Sequence, residues 1–177
     1  MHEQCSGSII VYMDDDDYYP PQRISHAVET LKNNPDAQCV GSSMIHVYFK
    51  DIRKIYQFGP YGENHATAGT FAFRKTLLET SSFDDNAAIA EEKKFLKDYT
   101  VPFAQLDPMK TILVFSHIHN TFDKKKLIEN PNPKVTKETK LKIGDFVKNE
   151  IIKDFIINKV DKPVSYTHLT LPTNREV

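Results

Sequence analysis

Four consecutive aspartates, Asp14 to Asp17, follow directly on the apolar run Ile9, Ile10, Val11, Tyr12 and Met13. So short a β-branched and aromatic run predicts a buried strand, and the acids then fall at its carboxyl end. Four like charges within about 13 Å of extended chain repel one another, and two arrangements relieve the repulsion. One is a solvated acidic turn, which is what most acidic loop runs are. The other is an oxygen-rich site for a hard divalent cation, Mg²⁺ or Mn²⁺, placed where open α/β sheets bind their ligands.

Three further groups could do chemistry. Glu91 and Glu92 sit in AAIAEEKKFLK, either as a surface pair facing lysines one turn on or as an acid able to take a proton. Gly69 and Thr70 open a short strand, where small residues permit a tight bend or the close approach of a ligand. The run Ser116-His117-Ile118-His119-Asn120 carries two imidazoles, of which only one can face a metal, because alternate side chains of an extended segment point oppositely. His65 reads as a solvated loop side chain, and Lys124 to Lys126 as a solvated basic run or part of a closing lid.

The order of apolar strand, D-x-D-D, two aromatics, Pro and a helix opening on Arg resembles the metal-binding DxD region of family 2 glycosyltransferases of the GT-A fold. Ser6-Gly7-Ser8, the run Ile9 to Met13, Asp14, Asp16, Asp17 and Pro21 carry that likeness. It extends over about Ser6 to Lys126, through the Gly69 strand, the acidic pair and the His117-x-x-Asn120 spacing. The resemblance implies that Asp14 holds the ribose and diphosphate side of a nucleotide-sugar and shares the metal, with Asp16 as its principal ligand. Asp15 and Asp17 occupy the variable and flanking positions of the same cofactor-binding loop. His117 would complete the metal shell, with His119 as the fallback. Gly69 and Thr70 would line the acceptor side. Glu92, with Glu91 before it, would fall on the family's acidic pair, although the second acid there is most often Asp. The implied activity is that of a metal-dependent, inverting, hexosyltransferase-like enzyme moving a sugar from a nucleotide-sugar, UDP-linked by analogy, to a hydroxyl of a glycan, protein or lipid. Two other classes would use the same aspartates: a non-catalytic metal-dependent carbohydrate- or phosphate-binding module, and a metal-dependent nucleotidyltransferase. Only a transferase of this kind needs an acid placed like Glu92.

The elements that must position these residues are legible in outline. Ile24, Ala27, Val28 and Leu31 recur at helical spacing from Arg23 to Asn33, before the breaker Asn34-Pro35. Cys39 to His46 reads as a strand, and Val47 to Phe49 with Lys54 to Phe58 as a ribbon turning at Asp51. Ala68 to Arg74 reads as a strand and Ala87 to Lys97 as a helix. Val101 to Leu106 and Thr111 to Phe115 read as short strands, and Lys140 to Val160 as an amphipathic helix packed back on the rest. The fold class expected is α/β: a partial GT-A, Rossmann-like mixed sheet flanked by helices.

The 177 residues hold 23 basic against 24 acidic side chains and 40% hydrophobic residues, the composition of a globular domain without an electrostatic bias toward nucleic acid. No apolar run approaches the roughly 18 residues that a membrane span needs. Two distant cysteines, Cys5 and Cys39, suggest neither a disulfide framework nor a zinc ribbon, so a reducing, cytoplasmic setting is the expectation. The resemblance divides the chain into an acceptor- and metal-binding half (1–126), a helical extension (127–163) and a tail (164–177). That tail, beginning VSYTHLTLPT, resembles a reading frame of a sequencing-library adapter and is expected to be non-native. The family's N-terminal nucleotide-binding half is expected to be missing before Met1, leaving this chain alone inactive.

Overall fold

The computed structural model describes residues 2–83, 91–116 and 124–160. Two four-stranded mixed sheets with short helices around them give an α/β architecture, as expected. The strands are β1 (Ile9–Val11), β2 (Cys39–Gly41), β3 (Ile45–Phe49), β4 (Lys54–Phe58), β5 (Ala72–Arg74), β6 (Phe103–Gln105), β7 (Leu113–Ser116) and β8 (Thr136–Glu138). The first sheet has the order β1-β5-β2-β6 and the second β7-β3-β4-β8. In the first, β1 and β2 run antiparallel to β5, while β2 and β6 are parallel. The second joins the β3–β4 hairpin to β7 in parallel and to β8 antiparallel.

Helix α1 (Arg23–Asn33) forms where its periodicity predicts it. Its buried Ala27 and Leu31 pack with Val40, Ala72 and Leu106 on one face of the first sheet. Its last turn leaves backbone carbonyls without helical partners, and Arg74 on β5 donates to Leu31 O (2.8 Å) and, just beyond, to Ala37 O (3.0 Å). The opposite face of this sheet buries Phe71, Phe73, Phe95 and Leu96.

Three sequence readings need correction. The segment Cys39 to His46 is not one strand: the chain leaves the first sheet after Gly41 and enters the second at Ile45. Ser42, Ser43 and Met44 make the crossing, held by the Ser43 N–H donating to Gln105 Oε1 (2.8 Å) and the Ser42 hydroxyl donating to Met44 O (2.5 Å). The segment Ala68 to Arg74 begins with a 3₁₀ turn, Ala68–Thr70, and only then becomes β5. The helix expected from Lys140 to Val160 is two, α4 (Ile143–Phe146) and α5 (Glu150–Asn158). Between them Asn149 is an N-cap whose Oδ1 accepts from the Ile151 and Ile152 amides (2.9 and 3.1 Å), starting a new helix instead of prolonging the old. Ile143, Phe146, Val147 and Ile156 do pack back, onto Tyr48, Ile55, Leu113 and Phe115 of the second sheet. The short helices α2 (Glu91–Phe95) and α3 (Lys126–Glu129) complete the described elements. No described helix is long and apolar enough to cross a membrane.

Candidate active site around the aspartate loop

The acid loop spans the gap between the two sheets. After β1, the Tyr12 amide donates to Phe71 O (2.9 Å), and Tyr18 then pairs with Leu113 on β7 through both backbone groups (3.0 and 2.8 Å). The four aspartates between these anchors separate by environment. Asp14 lies against the Ala68–Thr70 turn: a Cβ built on Gly69 would stand 2.5 Å from Asp14 Oδ2, so any side chain there would have to push the carboxylate aside. The Tyr19 phenol ties the two together, accepting from the Asp14 amide (2.8 Å) and donating to Gly69 O (3.2 Å). Asp17 turns toward β7, where its Oδ1 accepts from the Phe115 amide (2.9 Å). Asp15 and Asp16 are exposed, as is Asp14 despite its place against the turn, and Asp17 alone is half-buried.

The electrostatics follow from this placement. Burial, then repulsion from Asp16 and Asp15, raises the Asp14 carboxyl above the usual aspartate range, against the pull of Lys124 and Arg23. Burial pushes Asp17 up to about 6, although the Phe115 amide and Lys124 favour its charged form. Lys124 Nζ donates to Phe115 O (2.8 Å), which fixes a cation beside these acids. Lys125 instead pairs with Asp51.

Arg23, the first residue of α1, is a part of the site that sequence reasoning missed. It is 1% exposed, and its Nη2 donates to Tyr12 O (3.1 Å), Thr70 O (2.9 Å) and Phe71 O (2.8 Å), clamping the end of β1 to the Gly69 turn. Burial lowers it to about 10, so it remains a cation at neutral pH. Only the position of an arginine just after two prolines at a helix start hinted at it, and such an arginine normally stays in solvent. Thr70 is fully buried, and its hydroxyl accepts from the Ser42 amide (2.9 Å) while donating to Thr67 O (2.6 Å). Its side chain therefore shapes the turn from within, and Gly69 is the member of the pair that touches the acid loop.

Glu92 is half-buried on α2. Phe95, three residues on, anchors that helix against Phe71 (5.7 Å between ring centroids), Phe73 (4.9 Å) and Phe83 (4.3 Å, stacked), which places α2 beside the strand that follows Gly69. The Glu92 charge is felt by His65 and by Tyr99. His65, expected as a solvated loop residue, instead has its Nδ1 buried without a hydrogen-bond partner among the described residues, and burial lowers its basicity. The chain then turns through Lys97, Asp98 and Tyr99 with φ of 50°, 55° and 63°. Three consecutive non-glycine residues in the left-handed region cost about 1 kcal/mol or more each. The Glu91 side chain, His117, His119 and Asn120 lie outside what the structure describes. Among the described residues no three His, Cys, Asp or Glu side chains converge on one point to hold a metal.

The model of the family described as glycosyl transferase family 2 matches residues 2–95, a span that includes the acid loop, the Gly69 turn and Glu92. No curated relative matches the chain.

Proposed function

We propose the reaction below from one premise, that the chain belongs to glycosyl transferase family 2. The reading is a metal-dependent, inverting transfer of a sugar from a nucleotide-sugar, UDP-linked by analogy, to a hydroxyl acceptor. The observation that carries it is the contact of Gly69 with Asp14, which joins the turn assigned to the acceptor to the loop assigned to the donor.

The donor set fits a hard divalent cation. Asp14 and Asp16 offer only carboxylate oxygens, and Asp15 and Asp17 add like charge beside them. Mg²⁺ is usually held by one or two carboxylates together with substrate phosphates, so a preformed cage of three ligands is not required. Asp16 and Asp14 would hold the cation, with His117 as a further ligand. When bound it supplies Lewis-acid stabilisation of the charge that builds on the departing diphosphate. Asp15 and Asp17 shape the same loop, and Lys124 adds positive charge beside it.

Glu92, next to Glu91, acts as the general base. It takes the proton of the acceptor hydroxyl as that oxygen bonds to the anomeric carbon and the bond from that carbon to the diphosphate oxygen breaks. A single displacement from the opposite face inverts the centre, and a positioned base contributes about 10² to 10⁴-fold in rate. Two free cysteines accord with a reducing, cytoplasmic setting.

In an enzyme that carries the nucleotide-binding half, Asp16→Ala should abolish Mn²⁺-dependent binding of a UDP-sugar, because it removes a ligand. Glu92→Gln should keep that binding and lose turnover, because it removes only the base. Isothermal titration alongside a transfer assay reads both, and normal turnover by Glu92→Gln would end the role given to that residue.

A further inference from the structure

Beside Glu92 runs a row of three aromatic rings that the mechanism leaves unused. Tyr61 packs on His65 (5.1 Å between centroids), and His65 packs on Tyr99 (5.3 Å). At one end, Tyr61 is 48% exposed and walls a cleft of about 430 Å³ formed with Met44, Pro60, Glu63, Gln105 and Leu106. At the other end, Tyr99 and His65 both lie within range of the Glu92 charge.

Two observations indicate that the row is held in place for a purpose other than packing. The loop carrying Tyr61 and His65 is tied down at both ends of its arc. Ser43 Oγ accepts from the Tyr61 and Gly62 amides (2.7 and 2.9 Å), and Gln105 Nε2 donates to Glu63 O (2.6 Å) and His65 O (2.8 Å). These ties leave the Tyr61 ring half in water, where burial cannot explain it. On the far side, Tyr99 meets His65 only through the left-handed turn at Lys97, Asp98 and Tyr99, an unfavourable backbone that must be stabilised by its surroundings.

We propose that the Tyr61–His65–Tyr99 row is the platform for the acceptor, and that the acceptor is a saccharide. This rests on the transferase reading given above. A pyranose presents a face of C–H groups and a rim of hydroxyls, which matches an exposed aromatic face edged by polar side chains. Tyr61 takes the C–H face, while Glu63 at the cleft wall meets rim hydroxyls. A chain of sugars seated in the cleft then passes along the row, bringing one terminal hydroxyl to Glu92. A peptide or lipid hydroxyl has no such face to match.

Saturation-transfer NMR on the full chain tests this with four free methyl glycosides (glucoside, galactoside, mannoside and N-acetylglucosaminide), with a serine peptide as control. A titration of UDP with Mn²⁺ runs in parallel. Saturation of ring C–H protons of at least one glycoside is expected, with affinity about fivefold or more weaker in Tyr61→Ala, the scale of one aromatic contact. Tyr61→Phe should retain it, and both variants should bind UDP–Mn²⁺ like the parent. Tyr61 is exposed, so neither variant should unfold. UDP–Mn²⁺ binding without any glycoside contact overturns the platform and leaves the transferase reading standing. So does glycoside binding indifferent to Tyr61→Ala, or saturation of the serine peptide in preference to the glycosides. Tyr61-dependent glycoside contact upholds the platform, and absence of UDP–Mn²⁺ binding even when the nucleotide-binding half is joined to this chain removes the transferase reading.

Discussion

Asp17 and Asp14 are adjacent in function and opposite in their surroundings, and each carries its own test. Asp17 ionises at about 6 in the fold against 3.8 for the free side chain. Between pH 4 and 6 the unfolded chain gives up this proton first, so the native state binds more protons and its stability falls as the pH rises through that window. After allowance for solvent screening the loss is about 1–2 kcal/mol. Asp17→Asn keeps an oxygen to accept from the Phe115 amide and should flatten that slope, leaving the variant the more stable at pH 7; urea titrations at several pH values measure it. Gly69→Ala acts on Asp14. The added methyl must displace the carboxylate, whose Oδ2 lies 2.5 Å from its position. Affinity for UDP-sugar and Mn²⁺ should drop about tenfold, with little change in melting temperature, since Gly69 lies in a turn and not in the packed interior. A titration matching the parent would show that Asp14 has room to move.

At the scale of elements, the parts that position the site are those where the chain comes unusually close to itself. A Cβ on Gly41, at the end of β2, would meet Ala66 Cβ at 2.7 Å and Thr70 Oγ1 at 3.0 Å. Gly41→Ala should therefore destabilise by about 1–3 kcal/mol, as overpacking does, and loosen the Ala68–Thr70 turn; thermal melts with and without UDP–Mn²⁺ would separate the two effects. Such contacts explain what the sequence could and could not reveal. Helix α1 was legible because Ala27 and Leu31 repeat at its period, and strand β1 because Ile9, Ile10 and Val11 form an apolar run ahead of the aspartates. The crossing at Ser42 to Met44 was hidden, because its determinant is Gln105, distant in the chain and polar without pattern. Strand β8 was hidden too: Thr136, Lys137 and Glu138 are polar and pair at a sheet edge with Phe58, Gln57 and Tyr56. Arg23 reads in the sequence only as a helix start and Thr70 as lining the acceptor side, and only the fold shows that their polar atoms serve buried carbonyls and amides.

For the molecule as a whole, the decisive feature is that the acid loop is anchored on β7, with Asp17 and Phe115 separated by 98 positions. The antiparallel pairing of β1 with β5 needs nothing beyond Arg74. The parallel pairings of β2 with β6 and of β3 with β7 wait for the chain that follows. All three pairings are non-local, and each must close its loop before its contacts reward closure. A chain emerging from the ribosome can thus pair its first strands while its acids still hang without their second anchor. Until Phe115 is in place, a half-made chain carries four aspartates on a loop anchored at one end, and under the proposed function it would not sequester nucleotide or metal before it is able to use them.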